Sequence, residues 1–141
     1  GREYWPAYLA AVAGALKPGG RAALQYIAIR QDLFDGYAAN ADFIQTYIFP
    51  GGMLLSVPLF RRIAADHGLA WRDETGFGLH YAETLGRWRQ RYEAAVGQGR
   101  LAGFDTAFHD LWRYYLMYCE GGFRGGGIEV AQVTLVKGEG A

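Results

Sequence analysis

One stretch of this chain, Arg21 to Ile29 (RAALQYIAI), is apolar nearly throughout, with the turn Pro18-Gly19-Gly20 before it and the charged Arg30-Gln31-Asp32 after it. A short apolar run between such boundaries suits a strand buried on both faces, as in a parallel sheet. Ahead of it, Tyr4, Tyr8, Leu9, Val12 and Leu16 recur at the spacing of an amphipathic helix. Helix, glycine turn and buried strand together make an α/β unit.

The 141 residues amount to one domain or part of one, at roughly 100 to 200 residues per domain. With 51% apolar and 20% charged residues the chain can build a packed core. Lys+Arg and Asp+Glu stand at 14 each, and a neutral chain lacks the basic face that nucleic-acid binding requires. The single cysteine, Cys119, excludes an internal disulfide framework and a multi-cysteine zinc site, which points to a reducing, cytoplasmic setting. No apolar run reaches the roughly 18 residues of a membrane span, and the reading is a soluble or peripheral protein. Because the chain starts at Gly1 with a helical pattern and no leading strand, the expectation is a C-terminal piece of a larger domain.

Further along, residues 32–57 carry a helical segment that ends in an aromatic loop around Phe49-Pro50-Gly51-Gly52. Ser56 can cap a helix with Pro58 near its start and Leu59, Phe60, Ile63 and Ala64 on its apolar face. Leu69 to Phe77 reads as the next strand. Tyr81, Leu85, Trp88, Tyr92 and Val96 form the stripe of a long helix with Arg87, Arg89, Arg91 and Glu93 on its polar face. Asp105 caps a second long helix through Phe108, Leu111, Trp112, Tyr115 and Cys119, which ends in GGFRGGG. Ile128 to Val136 (IEVAQVTLV) alternates as a half-buried strand does.

His67, His80 and His109 are far apart and have no Cys or carboxylate at ligand spacing, so no metal site is expected. His67 and His109 read as exposed helix residues, whereas His80 lies at a strand-to-helix junction, where side chains often face a site. Ser56 has no G-x-S-x-G elbow around it, and Cys119 sits among apolar residues as a small hydrophobe. The glycine cluster follows a helix and precedes a strand, the reverse of a phosphate loop. The aromatic stripes read singly as core, and together they allow an apolar pocket.

At LQYIAI, YIFPGGMLLSV, LHYAETLGRW and YYLMYCEGGFRGGGIEVAQVTL the chain resembles, almost end to end, the cyclopropane-fatty-acyl-phospholipid synthases and mycolic acid cyclopropane synthases. The resemblance implies the C-terminal half of a Rossmann-like class I methyltransferase sheet. Arg21–Ile29 would be its fifth strand, 69–77 its sixth and 128–136 an antiparallel seventh inserted between them, with a helical insertion covering an acyl pocket. It further implies that residues 1–141 are the C-terminal part of one S-adenosylmethionine-dependent domain, with the cofactor-binding residues lying upstream and none in this chain.

The implied chemistry transfers the sulfonium methyl to a cis double bond of an acyl chain and then removes a proton from that methyl to close a cyclopropane ring. Aromatic faces suit the intervening carbocation, each giving about 0.5–2 kcal/mol, and a dry pocket prevents its capture by water. The resemblance assigns the proton to a bound bicarbonate as general base, held by Tyr81 in HYAETL, by the strand position Gln25 in LQYI, and by the backbone at Ile27. Where the family often has His, Gln25 can hydrogen-bond an anion without titrating. The implied acyl pocket comprises Phe49, Leu85, Tyr115, Cys119 and Phe123, and the spacing of the last three places them on one helical face. The family's usual L-P-S is Leu54-Leu55-Ser56 here.

The resulting expectation is methylation of an unsaturated acyl chain on phospholipid, with a cyclopropane product. The alternatives are a methyl- or methylene-branched product from the same family, or a non-catalytic lipid-binding module. The implied partners are an unsaturated acyl phospholipid, a membrane surface met peripherally and the protein's own N-terminal half, with a homodimer allowed.

Overall fold

A computed structural model describes residues 1–138, and the chain divides into two compact units: Gly1–Gly76 with the chain from Glu129 onward, and Phe77–Ile128. In the first, a 3-10 turn at Arg2–Tyr4 leads into α1 (Trp5–Ala15), followed by β1 (Arg21–Ile29), α2 (Gln31–Ala39), α3 (Phe43–Tyr47), α4 (Val57–Asp66) and β2 (Leu69–Gly76). The last strand, β3 (Ile128–Lys137), returns to complete the sheet. The second unit holds α5 (Gly78–Gly97) and α6 (Thr106–Arg124).

The strand order is β1-β3-β2. β3 runs antiparallel to β2, with Leu69 opposite Lys137 and Trp71 opposite Leu135. Against β1, Lys137 N donates to the Gly20 carbonyl at 2.9 Å and Gln132 Nε2 donates to Gln25 Oε1 at 3.1 Å, so β3 is antiparallel here too. β1 and β2 are therefore parallel to one another with an antiparallel strand between them, the arrangement the resemblance implies.

β1 has the expected boundaries but not the expected burial. Tyr26 and Ala28 are buried, while Arg21, Ala23 and Gln25 are exposed. Within this unit one face of the strand is covered, and the core beneath it is an aromatic cluster. Trp5 meets Phe60 edge-on at 5.7 Å, Phe60 meets Trp71 at 6.2 Å, and Tyr26 lies 5.7 Å from Trp71. This cluster also corrects the helical stripe. With Pro6 in its first turn, α1 begins at Trp5, so its buried positions are Trp5 and Leu9 while Tyr4 and Tyr8 stay exposed. Ser56 does stand at the N-cap of α4, yet it makes no side-chain cap bond. Its buried hydroxyl donates instead to Gln31 Oε1 at 2.7 Å, tying the start of α4 to the start of α2.

A polar node crosses the sheet. The pairing of β2 with β3 breaks between Arg72 and Thr75, and Asp73 takes a positive φ of 52° in the irregularity. The bulge places Glu74 to accept hydrogen bonds from the Tyr26 hydroxyl and, at 3.0 Å, from Trp71 Nε1. Burial pushes the Tyr26 phenol up, and the hydrogen bond and charge of Glu74, with the charge of Glu129, push it further. No helix among the described residues is long and apolar enough to cross a membrane.

With its folded-state pKa raised, Tyr26 contributes stability that is fully present below the ordinary phenol pKa of about 10 and declines as pH rises past it, because the unfolded chain then releases a proton that the folded chain retains. In the whole protein, denaturant midpoints measured from pH 8 to 11 are expected to fall more steeply for wild type than for Tyr26→Phe. Parallel pH profiles would remove this role.

Candidate functional site

The positions singled out in the sequence are shared between the two units. Gln25, Ile27 and Phe49 belong to the first; Tyr81, Leu85, Tyr115, Cys119 and Phe123 belong to the second.

In the first unit, strand alternation turns Gln25 and Ile27 away from the side chains of Tyr26 and Ala28. Gln25 borders a cleft of about 220 Å³ whose other walls are Trp5, Tyr8, Leu24, Tyr26, Leu55 and Phe60. Its amide oxygen accepts from Gln132, which makes Nε2 the end that can donate to a ligand. At Ile27 the carbonyl is engaged, accepting from Leu55 N at 3.2 Å, while Leu55 O accepts from Ile29 N at 3.1 Å. Leu55 is thereby a one-residue parallel bridge beside Ala28. This gives the departure from the family's L-P-S a physical meaning, since proline has no N–H to donate to Ile27.

The loop carrying Phe49 is pinned from inside. The Tyr37 hydroxyl accepts from Leu54 N at 3.0 Å, and Gln45 Nε2 donates to the Gly52 carbonyl at 2.9 Å. Gln45 is itself set by a reciprocal cap with Asp42 at the start of α3, and Gly51 turns the chain at φ 78°. Phe49 is 57% exposed at the outer side of this loop.

In the second unit α5 and α6 form an antiparallel hairpin. Asp105 caps α6 as expected, its carboxylate accepting from Phe108 N at 2.8 Å. Phe123 is buried and its ring lies 5.2 Å from that of Tyr81 at 64°, a geometry in which ring edge meets ring face. Leu85, one turn beyond Tyr81, is 1% exposed. Burial raises the Tyr115 phenol, and the charges of Cys119 and Tyr81 raise it further, which places all three in one electrostatic neighbourhood. Tyr115, Cys119 and Phe123 thus share one face of α6 as the spacing predicts, and the Tyr81 ring meets that face at Phe123. A row of rings continues along α6 and past its start, from Tyr115 to Trp112 at 5.1 Å, Phe108 at 6.0 Å and, ahead of the cap, Phe104 at 4.3 Å.

The expected stripe on α5 is rotated. Its buried residues are Gly78, Ala82, Leu85 and Gly86, and Trp88 is 44% exposed. Small residues let α6 approach: a Cβ on Gly86 would stand 3.3 Å from Glu120 Oε1. His80, read as facing a site, is an exposed residue in the first turn of α5. His109, read as exposed, is partly buried, with Nδ1 2.5 Å from the Tyr92 hydroxyl, and His67 Nδ1 pairs with the Ile63 carbonyl at 2.8 Å.

Sequence reading missed Glu120. Its carboxylate accepts from Arg89 across the hairpin at 3.2 Å and from Arg124 on its own helix at 3.0 Å. Burial pushes this carboxyl up, but the hydrogen bonds and charges of Arg124 and Arg89 outweigh it and leave the net pKa below the usual range. Glu120 follows Cys119 directly, but an interhelical partner 31 residues away leaves no local pattern to read.

The chain is 40% identical over 139 residues to the "Tuberculostearic acid methyltransferase UfaA1" of Mycobacterium tuberculosis, a match that covers 97% of this chain and 32% of that protein. It is 35% identical over 101 residues to "Cyclopropane mycolic acid synthase 1" of the same species, covering 72% of this chain and 35% of the relative. The chain therefore spans about a third of the curated relatives it matches. The crystal structure of mycolic acid cyclopropane synthase CmaA1 complexed with SAH and CTAB superposes with a TM-score of 0.86 at 29% identity, covering 97% of this chain and 51% of that one. The three-stranded sheet is accordingly the C-terminal half of a class I methyltransferase sheet. The sequence model of mycolic acid cyclopropane synthetase matches residues 1–133, and the chain belongs to that family.

Proposed function

We propose that this chain is the C-terminal part of an S-adenosylmethionine-dependent methyltransferase acting on the double bond of an unsaturated fatty acyl chain. The observation that carries the reading is the seam of Tyr81, Tyr115, Cys119 and Phe123 in the second unit, where the half-buried rings of Tyr81 and Tyr115 beside the buried ring of Phe123 offer the apolar, electron-rich surface that an acyl chain and a positive charge on it require. Family membership over residues 1–133 supports it.

When bound, S-adenosylmethionine supplies an electrophilic methyl group, and bicarbonate supplies a base for the proton released. The donor chemistry of β1 fits an oxyanion. Gln25 keeps Nε2 for donation, and because Gly20 pairs with Lys137 toward β3, alternation turns the Ile27 N–H to the opposite edge of the strand. Neither group titrates near neutral pH, so β1 orients the anion and takes no proton from it. In the second unit Tyr81 offers a phenol hydroxyl of its own. Leu85, Phe123 and the rings of α6 bind the chain and exclude water. The cofactor is assigned to no residue of this chain. The edge of β1 that faces away from β3 is the place for a strand of the protein's own N-terminal half. A phospholipid substrate met at a membrane surface by a cytoplasmic enzyme completes the reading.

For the product, the cyclopropane reading rests on the relatives named cyclopropane synthases. A methyl or methylene branch is the second reading, favoured by 40% identity to a relative named a tuberculostearic acid methyltransferase. The loop bond from Leu55 to Ile27 separates this chain from a family member with proline at that position.

In cells expressing the whole protein, membrane lipids are expected to gain one CH₂ on unsaturated chains relative to an empty-vector control, as read by mass spectrometry. Derivatisation then separates ring from methylene branch, and a reduced methyl branch is heavier by two hydrogens. No gain with folded protein and S-adenosylmethionine present would favour a non-catalytic lipid-binding module. In the purified enzyme, Tyr81→Phe is expected to lower turnover by about 10²-fold, the scale of a lost proton-handling contact, with S-adenosylmethionine affinity nearly unchanged in calorimetry. Undiminished turnover would remove Tyr81 from the reaction.

A further inference from the structure

We infer that Arg89 and Glu120 are a positioning pair that sets α5 against α6 and so holds Tyr81 on Phe123. This role rests on the methyl-transfer reading above.

The charges of the hairpin fall into two groups. Arg87 with Glu83 and Arg113 with Glu93 join side chains that are each at least a third exposed, where water screens the attraction and the contribution is small. Glu120 differs in that its side chain is only 14% exposed and is held from both helices, by Arg89 and by Arg124. It also lies over Gly86, where a Cβ would come within 3.3 Å of the carboxylate, so the close approach of the helices and the ion pair share one place. That place is near Tyr81 and Phe123: Gly86 is five residues beyond Tyr81, and Glu120 is three before Phe123, separations of about 7.5 and 4.5 Å along the helix axes.

Stability alone does not account for the pair. Arg89 Nε is buried without a hydrogen-bond partner, a cost that an apolar contact would avoid. With the Arg89 side chain 38% exposed the pair adds little stability, and the best-attested use of an ion pair with a buried member is to fix one packing register over others. Three of the four buried α5 residues, Gly78, Ala82 and Gly86, are small, so beside Leu85 there is little side-chain relief near Tyr81 to define such a register. A directional charge contact supplies it.

The test uses the whole protein, with dioleoyl phosphatidylglycerol vesicles as acceptor and 3-fluorotyrosine at position 81. In Arg89→Met/Glu120→Leu, an apolar pair of similar bulk, Tm is expected to stay near wild type while kcat falls about tenfold with KM changed less than twofold, and the ¹⁹F resonance moves. These magnitudes follow from the steep cost of small misplacements in a reacting geometry. Should that variant fail to fold, Arg89→Lys keeps the charge, loses the planar fork, and is expected to show the same fall in kcat and moved resonance. Arg87→Gln, which breaks only an exposed pair, is expected to match wild type in every readout. Wild-type kcat and an unmoved resonance in the folded variants would overturn the inference. If wild type itself transfers no methyl group, the function reading fails, and the resonance still decides the positioning role: moved upholds it, unmoved overturns it.

Discussion

The first unit is held together by where its last strand goes. β1 and β2 run parallel without pairing with each other, and β3 enters between them to bond with both. The ladder brings Tyr26 on β1 and the bulge of β2 to bear on one carboxylate, sets Gln132 beside Gln25, and gives α1 and α4 a single surface on which to lay Trp5 and Phe60. A long sequence separation lies between the partners Gly20 and Lys137, so the loop-closure entropy of this pairing is met only when the ladder and the aromatic core form together. The conformation of Gln25 is thus a consequence of the end of the chain, and not of its own neighbours.

The second unit reaches definition by other means. Its helices meet through small residues, rings and ion pairs, and among the carboxylates of those pairs Glu120 stands apart at 14% exposed, against 58% for Glu83 and 44% for Glu93. Tyr92 with His109 and Glu93 with Arg113 fasten the far part of the hairpin, while Tyr81 with Phe123 marks the end nearer the sheet strands in sequence. Aromatic rings recur in both units with different partners. In the first they pack on each other as core, whereas from Phe104 through α6 to Tyr115 they remain partly uncovered.

Features governed by local chemistry were legible in the sequence. The bounds of β1, the cap at Asp105, the order of strands and helices, and the shared face of Tyr115, Cys119 and Phe123 all follow from periodicity and turn residues, and the structure bears them out. What escaped depends on partners distant in the chain. Periodicity placed Tyr4 and Tyr8 on the buried stripe of α1, but Trp5 offered Phe60 and Phe34 a larger surface and took the core position. Ser56 stood where a cap stands, but Gln31 competed for its hydroxyl. The bulge that presents Glu74 and the arginine that meets Glu120 have no local signature at all. The resemblance added assigned roles for Gln25, Ile27 and Tyr81, which spacing does not provide.

The bridge at Leu55 has a consequence for the outer edge of the sheet. By pairing with Ile27 and Ile29 it covers the last part of β1 and leaves Arg21, Ala23 and Gln25 as the stretch where backbone groups face outward. A strand laid against this edge can zip along the earlier residues, but it meets an occupied carbonyl at Ile27. Leu55 therefore acts as a buffer stop on the sheet, fixing how far an incoming strand can travel and shielding the end of β1 from the open-ended pairing to which uncovered edges are prone.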